Sequence, residues 1–316
     1  MLRYNRSVIW SLLLLALFKP LTSQAISETI TDDLNNHLSP GPSSDDIRVA
    51  SVSTFGAEMM LALGRKPVGM SSYPGQLPTY LKSLEQVPDL GPRSRTNFEY
   101  LFHTSPDIII GLSRMVEPYA ARFNQIAPLA AFDLITFEDS LSAVERSAKL
   151  LGKEEAGKRI NTCFLNTLDQ IKQSIPEGTS GVFLTSAGVT PRAYYSHFMT
   201  VGIMERLNIE NAIGASPYHT KAPFSGQVGL EWLLKLDPDV IFMYRSSQAQ
   251  FTGSTIWQNL EAVKNNRVFL VDMTWREPEG PLSRLWVAMD IAHKISPAQF
   301  PAPSQELIKE ALCLNP

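Results

Sequence analysis

From Lys153 to Ile175 the apolar positions Ile160, Phe164, Leu168, Ile171 and Ile175 recur every three or four residues, with polar residues between them. That spacing places them on one face of a helix. Gly152 follows the run Ala-Lys-Leu-Leu and suits a left-handed C-cap, and Pro176-Glu-Gly ends the pattern. A helix over 153–175 would be roughly 34 Å long at about 1.5 Å per residue, enough to bridge two lobes. Gly157 is its weak point, costing about 1 kcal/mol relative to Ala.

The same apolar phrase stands on both sides of this helix. Phe98-Glu-Tyr-Leu-Phe-His-Thr-Ser-Pro-Asp-Ile-Ile-Ile110 precedes it, and Leu230-Glu-Trp-Leu-Leu-Lys-Leu-Asp-Pro-Asp-Val-Ile-Phe242 follows it. Glu99 aligns with Glu231, Pro106 with Pro238 and Asp107 with Asp239, at one offset of 132 residues. Each phrase predicts a short amphipathic helix, a Pro-Asp turn and a β-branched run suited to a strand buried on both faces. The pattern predicts two similar α/β lobes joined by one helix. The expected bounds are an N-terminal lobe over 47–152, the linking helix over 153–176 and a C-terminal lobe over 177–316.

The rest of the pattern fits that plan. Arg48-Val-Ala-Ser-Val-Ser predicts the first strand, and Thr54 could cap a helix over Phe55–Leu63. Further strands are expected at Val68–Met70, Ala130–Phe132, Val182–Thr185, Arg192–Tyr195 and Val268–Val271. Helices are expected at Tyr119–Ile126, Phe198–Leu207, Leu282–Ile295 and Ser304–Leu314. Leu90–Asn97 and residues 214–227 read as turn-rich connections. Strand–helix alternation with short links predicts mostly parallel sheets.

The N-terminus changes the picture of where the chain works. Arg3 and Arg6 precede an apolar run from Val8 to Phe18, and Ser23-Gln-Ala25 supplies small residues suited to a signal peptidase. The run is short for a membrane span, so residues 1–25 read as a cleaved export signal, with an uncleaved anchor as the alternative. No Cys lies near the cleavage site. Residues 26–46, with Pro40-Gly41-Pro42, read as a flexible leader. Loss of Arg3, Arg6 and Lys19 takes the net charge from −3 to −6. That argues against a general nucleic-acid or anionic-membrane binder. Cys163 and Cys313 could bridge the linking helix to the C-terminal helix in an oxidising compartment, or remain two buried thiols.

Enzyme signatures are sparse. There is no GxSxG, P-loop or HExxH pattern, and His37, His103, His197, His219 and His293 share no metal-ligand spacing. An exported chain with two lobes, and with Arg and aromatic residues on loops between them, points to a binding protein with a cleft.

Val87-Pro-Asp-Leu-Gly-Pro-Arg-Ser-Arg-Thr-Asn-Phe-Glu-Tyr-Leu, followed by Ser105-Pro-Asp-Ile-Ile-Ile-Gly, resembles the helix-linked periplasmic binding proteins of iron-siderophore and cobalamin ABC importers, above all the ferric hydroxamate binders. Pro191-Arg192, Met204-Glu-Arg-Leu, Asn211-Ala-Ile and the Trp275 segment extend the resemblance over nearly all of 47–295. It implies two α/β lobes around a shallow cleft, capture of a ferric siderophore in a Gram-negative periplasm, and delivery by a monomer to an inner-membrane permease dimer. No cofactor or protein–iron bond is implied, since a siderophore fills the metal's coordination sphere. Haem, cobalamin and ferric citrate are rival ligands in the same fold, and an exported hydrolase is a different class of reading.

By the same resemblance Arg93 stands at the ligand-gripping arginine, where a guanidinium fork suits hydroxamate or carboxylate oxygens. Arg95 could serve instead. Arg114 lies near the family's ligand tyrosine, which this chain lacks. Trp275 matches an aromatic wall residue, and Phe224 falls within a residue of another. Arg276 and Glu277 replace further aromatics, which suggests a more polar ligand. Tyr195 and His197 are placed at a strand-end loop facing the cleft. Glu99 and Glu231, one per lobe, correspond to the acids that pair with permease arginines, although helix N-terminal acids are also favoured by the dipole.

Overall fold

The computed structural model describes residues 29–41, 46–73, 75–185, 188–244 and 249–314. The expected export signal, 1–25, lies outside them. The strands are β1 Ile30–Thr31, β2 His37–Leu38, β3 Val49–Ser51, β4 Gly69–Ser72, β5 Asp89–Pro92, β6 Ile108–Leu112 and β7 Leu129–Phe132. After the linking helix come β8 Thr179–Thr185, β9 Arg192–Tyr194, β10 Ile209–Asn211, β11 Ser225–Gln227, β12 Val240–Tyr244 and β13 Val268–Val271. The first lobe holds a parallel sheet in the order β5-β4-β3-β6-β7. The second follows β11-β9-β8-β12-β13, with β10 beside the start of β8. Its centre is parallel, while β9 and β11 run antiparallel as a short edge pair. The expected α/β class with two sheets is therefore what the chain adopts.

The repeat is a structural duplication at residue precision. Val49 pairs with Ile108 and Ala50 with Ile109 in the first lobe. Gly181 pairs with Val240 and Val182 with Ile241 in the second, at the same 132-residue offset. The Pro-Asp turns share a function too. Asp107 Oδ2 accepts the Arg48 N–H at 2.8 Å, and Asp239 Oδ2 accepts the Ser180 N–H at 2.8 Å, each across 59 residues. Each aspartate satisfies a backbone donor at the start of its lobe's central strand, where no strand neighbour can.

The linking helix runs Glu154–Lys172, shorter than the apolar pattern suggests, because Ile175 is buried from the turn that follows. At 19 residues it is roughly 28 Å long. Ile160, Phe164, Leu168 and Ile171 are all buried on its inner face. Gly152 has φ +68°, as the C-cap reading requires. Gly157 turns out to be a point of close approach: a Cβ there would lie 2.5 Å from Ala148 Cβ and 3.3 Å from the Val144 carbonyl. The preceding helix, Phe137–Leu150, crosses there, so the missing side chain is what lets the two helices pack. Cys163 and Cys313 are joined as a disulfide, tying this helix to the segment after the last helix, Gln305–Ala311.

Three local expectations need correction. The segment expected to be a loose leader carries the β1–β2 ribbon. It is fastened by the buried Asp32 carboxylate, which accepts the N–H groups of Leu34, Asn36 and Ala131, and by the ion pair of Asp33 with Arg146. The turn-rich stretch after Val87 contains β5, and residues 214–227 contain β11. The first helix is Thr54–Ala62, capped by Ser53 rather than Thr54.

One continuous apolar core joins the lobes, running from Phe55 and Phe132 through Phe164 to Phe183, Phe242 and Leu285. The helix Pro281–Ile295 crosses it, packing on Thr54–Ala62 of the first lobe, on the linking helix and on Met199–Arg206 of the second.

Candidate functional site

The strands deliver their carboxyl ends to one cavity between the lobes. Arg93 directly follows β5, Arg114 follows β6, and Leu134 and Ile135 follow β7. From the second lobe come Tyr194 at the end of β9, Phe198, Phe224, and the segment Arg276–Glu279 after β13. The cavity measures about 170 Å³. Larger hollows lie elsewhere, one of about 830 Å³ beside Arg65 and Arg159 and one of about 460 Å³ beside the disulfide. Neither gathers strand carboxyl ends, where ligands of open α/β sheets bind, and a third of about 560 Å³ at the ends of β12 and β13 draws on the second lobe alone.

Arg93 and Arg114 are already paired with the cavity's own acids, while Arg276 lies over the Tyr244 ring. Arg93 donates to the Glu277 carboxylate and, at 3.3 Å, to Glu279 Oε1. Arg114 Nη2 donates to the same Glu279 oxygen at 3.0 Å. Glu279 is the more deeply set of the two acids, its side chain 3 % exposed against 16 % for Glu277. Burial and the neighbouring Glu279 raise the pKa of Glu277, while Arg93 and Arg276 pull it back. Opposite the charges stands an aromatic wall: Tyr194–Phe198 centroids lie 4.5 Å apart and Phe198–Phe224 5.1 Å. A ligand with anionic oxygens at one end and apolar surface at the other fits this division.

Arg93, Arg114, Phe224 and Arg276 therefore meet, while Arg95, the alternative to Arg93, does not line the cavity. Trp275 does not, and is corrected here. It is fully buried, its indole N–H donates to Asp290 at 2.8 Å, and its ring packs on Phe242 and Phe183. The carboxylate partner lets an indole go inside, so the tryptophan supports the wall from beneath. Tyr195 and His197 also stay off the cavity; their rings stack on each other, and His197 Nε2 is bonded to the Lys221 carbonyl at 2.8 Å. Sequence reasoning missed Tyr194 and Phe198 as wall residues and Glu279 as the shared anchor. The alternation within Arg192-Ala-Tyr-Tyr was the available signal for Tyr194.

Beneath the cavity the lobes are locked by a buried polar network. Glu58 Oε2 accepts from the Leu282 N–H at 2.9 Å, the Ser283 N–H at 2.8 Å and the Ser283 hydroxyl at 3.0 Å. A first-lobe acid thus caps the helix Pro281–Ile295, and Gly280 leaves room for it, since a Cβ there would overlap the carboxylate. Burial pushes Glu58 up to about 8 despite those donors. Arg284, buried one turn in, donates to Ser140 and Asn161 and lies over the Phe164 ring; burial pulls it down to about 9. Ser140 in turn donates to the Glu279 carbonyl at 3.0 Å, linking this network to the cavity floor.

Glu99 and Glu231 are exposed in the first turns of the helices Phe98–His103 and Leu230–Leu236. Beside each stands an exposed aromatic, Tyr100 or Trp232, at the same offset.

Residues 49–273 match the periplasmic binding protein family. The chain belongs to it. This periplasmic binding protein is 24 % identical over 244 residues to the Fe(3+)-citrate-binding protein of Bacillus subtilis, covering 74 % of this chain and 76 % of that one. It is 24 % identical over 250 residues to an iron(3+)-hydroxamate-binding protein of the same organism, covering 73 % and 75 %. Among solved structures, Staphylococcus aureus SirA complexed with staphyloferrin B superposes with a TM-score of 0.69 at 19 % identity, over 84 % of this chain and 98 % of that one. The folds agree, with the linking helix in common with the helix-joined class expected from the sequence.

Proposed function

We propose that this periplasmic binding protein captures a ferric siderophore between its lobes and hands it to an ABC permease. The observation that carries the reading is the cavity itself: two guanidiniums at the carboxyl ends of β5 and β6 face an aromatic wall from the other lobe. Guanidiniums suit hydroxamate or carboxylate oxygens around Fe(III), and aromatic rings suit the chelate's apolar flank. The curated relatives' names, for ferric citrate and ferric hydroxamate binding, support the same substrate class. The ligand brings its own coordination sphere, so the protein recognises the chelate and not the metal.

Glu99 and Glu231 dock the permease in this reading. Two exposed acids related by the internal duplication suit a partner with twofold symmetry and basic residues at matching places. The Cys163–Cys313 disulfide and the export signal expected over 1–25 support work outside the cytoplasmic membrane, and a Gram-negative periplasm is the compartment this reading takes.

Tryptophan fluorescence tests the reading, because Trp275 lies directly under the wall. Ferrioxamine or ferric citrate should quench it saturably, while haem and cobalamin should not. Silence with every ferric chelate would overturn the proposal, and a response to haem alone would move the protein to a haem carrier.

A further inference from the structure

The cavity is too small for what it is read to hold. About 170 Å³ is below the roughly 300–1,000 Å³ of sites that enclose drug-sized ligands. The space beside the guanidiniums is filled by the protein's own carboxylates. Glu277 and Glu279 take the positions that a chelate's anionic oxygens would need.

The two acids differ in how firmly they are held. Glu279 is nearly fully buried, is shared by Arg93 and Arg114, and has its backbone carbonyl fixed by Ser140. Glu277 is more open and is held by Arg93 alone. Oε2 of both acids is buried and accepts no hydrogen bond from the described residues, so what separates them is one guanidinium on Glu277 against two on Glu279. The acid with a single ion pair and the greater exposure is the one that can leave.

We propose that Glu277 sets how much ligand charge the cleft accepts: it occupies the Arg93 seat in the unliganded protein and must yield it before an anionic donor oxygen of the chelate can bind. The inference rests on the ferric-siderophore reading above. A neutral donor competes poorly with a carboxylate for a guanidinium, whereas an anionic donor competes as an equal. Once displaced, Glu277 faces Glu279 on its own segment and the incoming anion, with Tyr73 near it on the first lobe and only Arg276 left as a cation. It therefore takes a proton from solvent, becoming a neutral carboxylic acid. Binding of an anionic chelate is coupled to uptake of one proton, and affinity rises as pH falls.

The test uses the full mature chain, Glu277→Gln, and two probes: ferric citrate, which is anionic, and ferrioxamine, whose hydroxamate core is neutral. Calorimetry in two buffers of different ionisation enthalpy reads the protons taken up. With the unsubstituted protein, ferric citrate should bind about a hundredfold tighter at about pH 6 than at about pH 8, as uptake of about one proton requires. Glu277→Gln should bind ferric citrate about tenfold tighter at the alkaline end and lose most of the proton uptake. Any titration of the chelate itself is common to both proteins and drops out of the comparison. Ferrioxamine, which does not dislodge Glu277, should bind the unsubstituted protein with no proton uptake. Equal affinity and equal proton uptake in the two proteins would overturn the proposal while leaving siderophore binding intact. Failure of the unsubstituted protein to bind either chelate would instead remove the functional reading beneath it. Should the Gln variant melt early, Glu277→Asp supplies the check: a shorter acid that reaches Arg93 less well should tighten ferric citrate in the same direction, and weaker binding would count against the exchange.

Discussion

Glu58→Gln is the most informative change outside the cavity. Glu58 is fully buried and caps a helix of the other lobe through Leu282 and Ser283. Its pKa is raised from 4.5 to about 8, so between those values the folded protein keeps a proton that the unfolded chain has released. The unfolded state then binds fewer protons, and stability falls as pH rises through that window. Below it the group costs nothing; above it the penalty is complete, at about 5 kcal/mol for a shift of this size. A glutamine keeps the acceptor oxygen for the two N–H groups and cannot ionise. At roughly 2 °C per kcal/mol for a chain of this length, the variant should melt about 10 °C higher than the unsubstituted protein near pH 8.5 and within a few degrees of it near pH 5. Scanning calorimetry at several pH values reads the difference. Glu205, Glu277 and Asp290, also raised by burial, tilt both proteins alike and cancel. Arg284, lowered to about 9 by burial, is held up in part by the Glu58 charge, so losing that charge in the variant trims the gain at the alkaline end. Parallel melting curves against pH for the two proteins would refute the argument. A Gln variant that melts lower throughout would show that Glu58 is ionised in the fold, with Arg284 left uncompensated by the change.

The other expectations are simpler to read. Reducing the disulfide, or replacing Cys163 with Ser, should lower stability by up to about 5 kcal/mol from the 150-residue loop it closes, measured by denaturant unfolding with and without reductant; coincident curves would count against it. Arg93→Ala should weaken ferric chelate binding about tenfold, ~1.4 kcal/mol, in a fluorescence titration, and unchanged affinity would take Arg93 out of the site. Reversing Glu99 and Glu231 to Lys together should abolish chelate uptake by cells while leaving affinity in solution intact, and normal uptake would discard the docking role.

Much of the architecture was legible because it was written twice. The Pro-Asp phrases needed only to be aligned with each other, and their offset reappears in the strand register and in the Asp107 and Asp239 hydrogen bonds. Periodicity of 3.6 likewise marked the buried face of the linking helix. What stayed hidden depends on partners far away in sequence. Trp275 looks like a wall residue until Asp290, 15 residues on, gives its N–H a buried acceptor. β1 and β2 are short and polar, and hold because Asp32 reaches Ala131. Gly157 reads as a helix defect until Ala148 is seen packed against it. Burial of Glu58 and Arg284 carries no local signal at all, since charged residues at such spacing are ordinarily solvated.

The buried network also bears on how far the lobes can move. Wide opening would part the helix Thr54–Ala62 from Pro281–Ile295, strip the latter of its carboxylate cap and expose Arg284 and Phe164 together. Each orphaned donor at a helix start costs about 1–3 kcal/mol, and breaking a buried charge network costs more. The shared apolar core adds to that resistance, because it is continuous across the joint and has no seam along which to slide. Motion is cheapest at the rim, where Arg93, Arg114 and Glu277 keep some exposure and trade one ion pair for another. If the chelate binds at Arg93 and Arg114 as proposed, room for it comes from side chains leaving their seats, with the lobes shifting little. That makes the charge balance of Arg93, Arg114, Glu277 and Glu279, more than hinge flexibility, the quantity on which ligand choice turns.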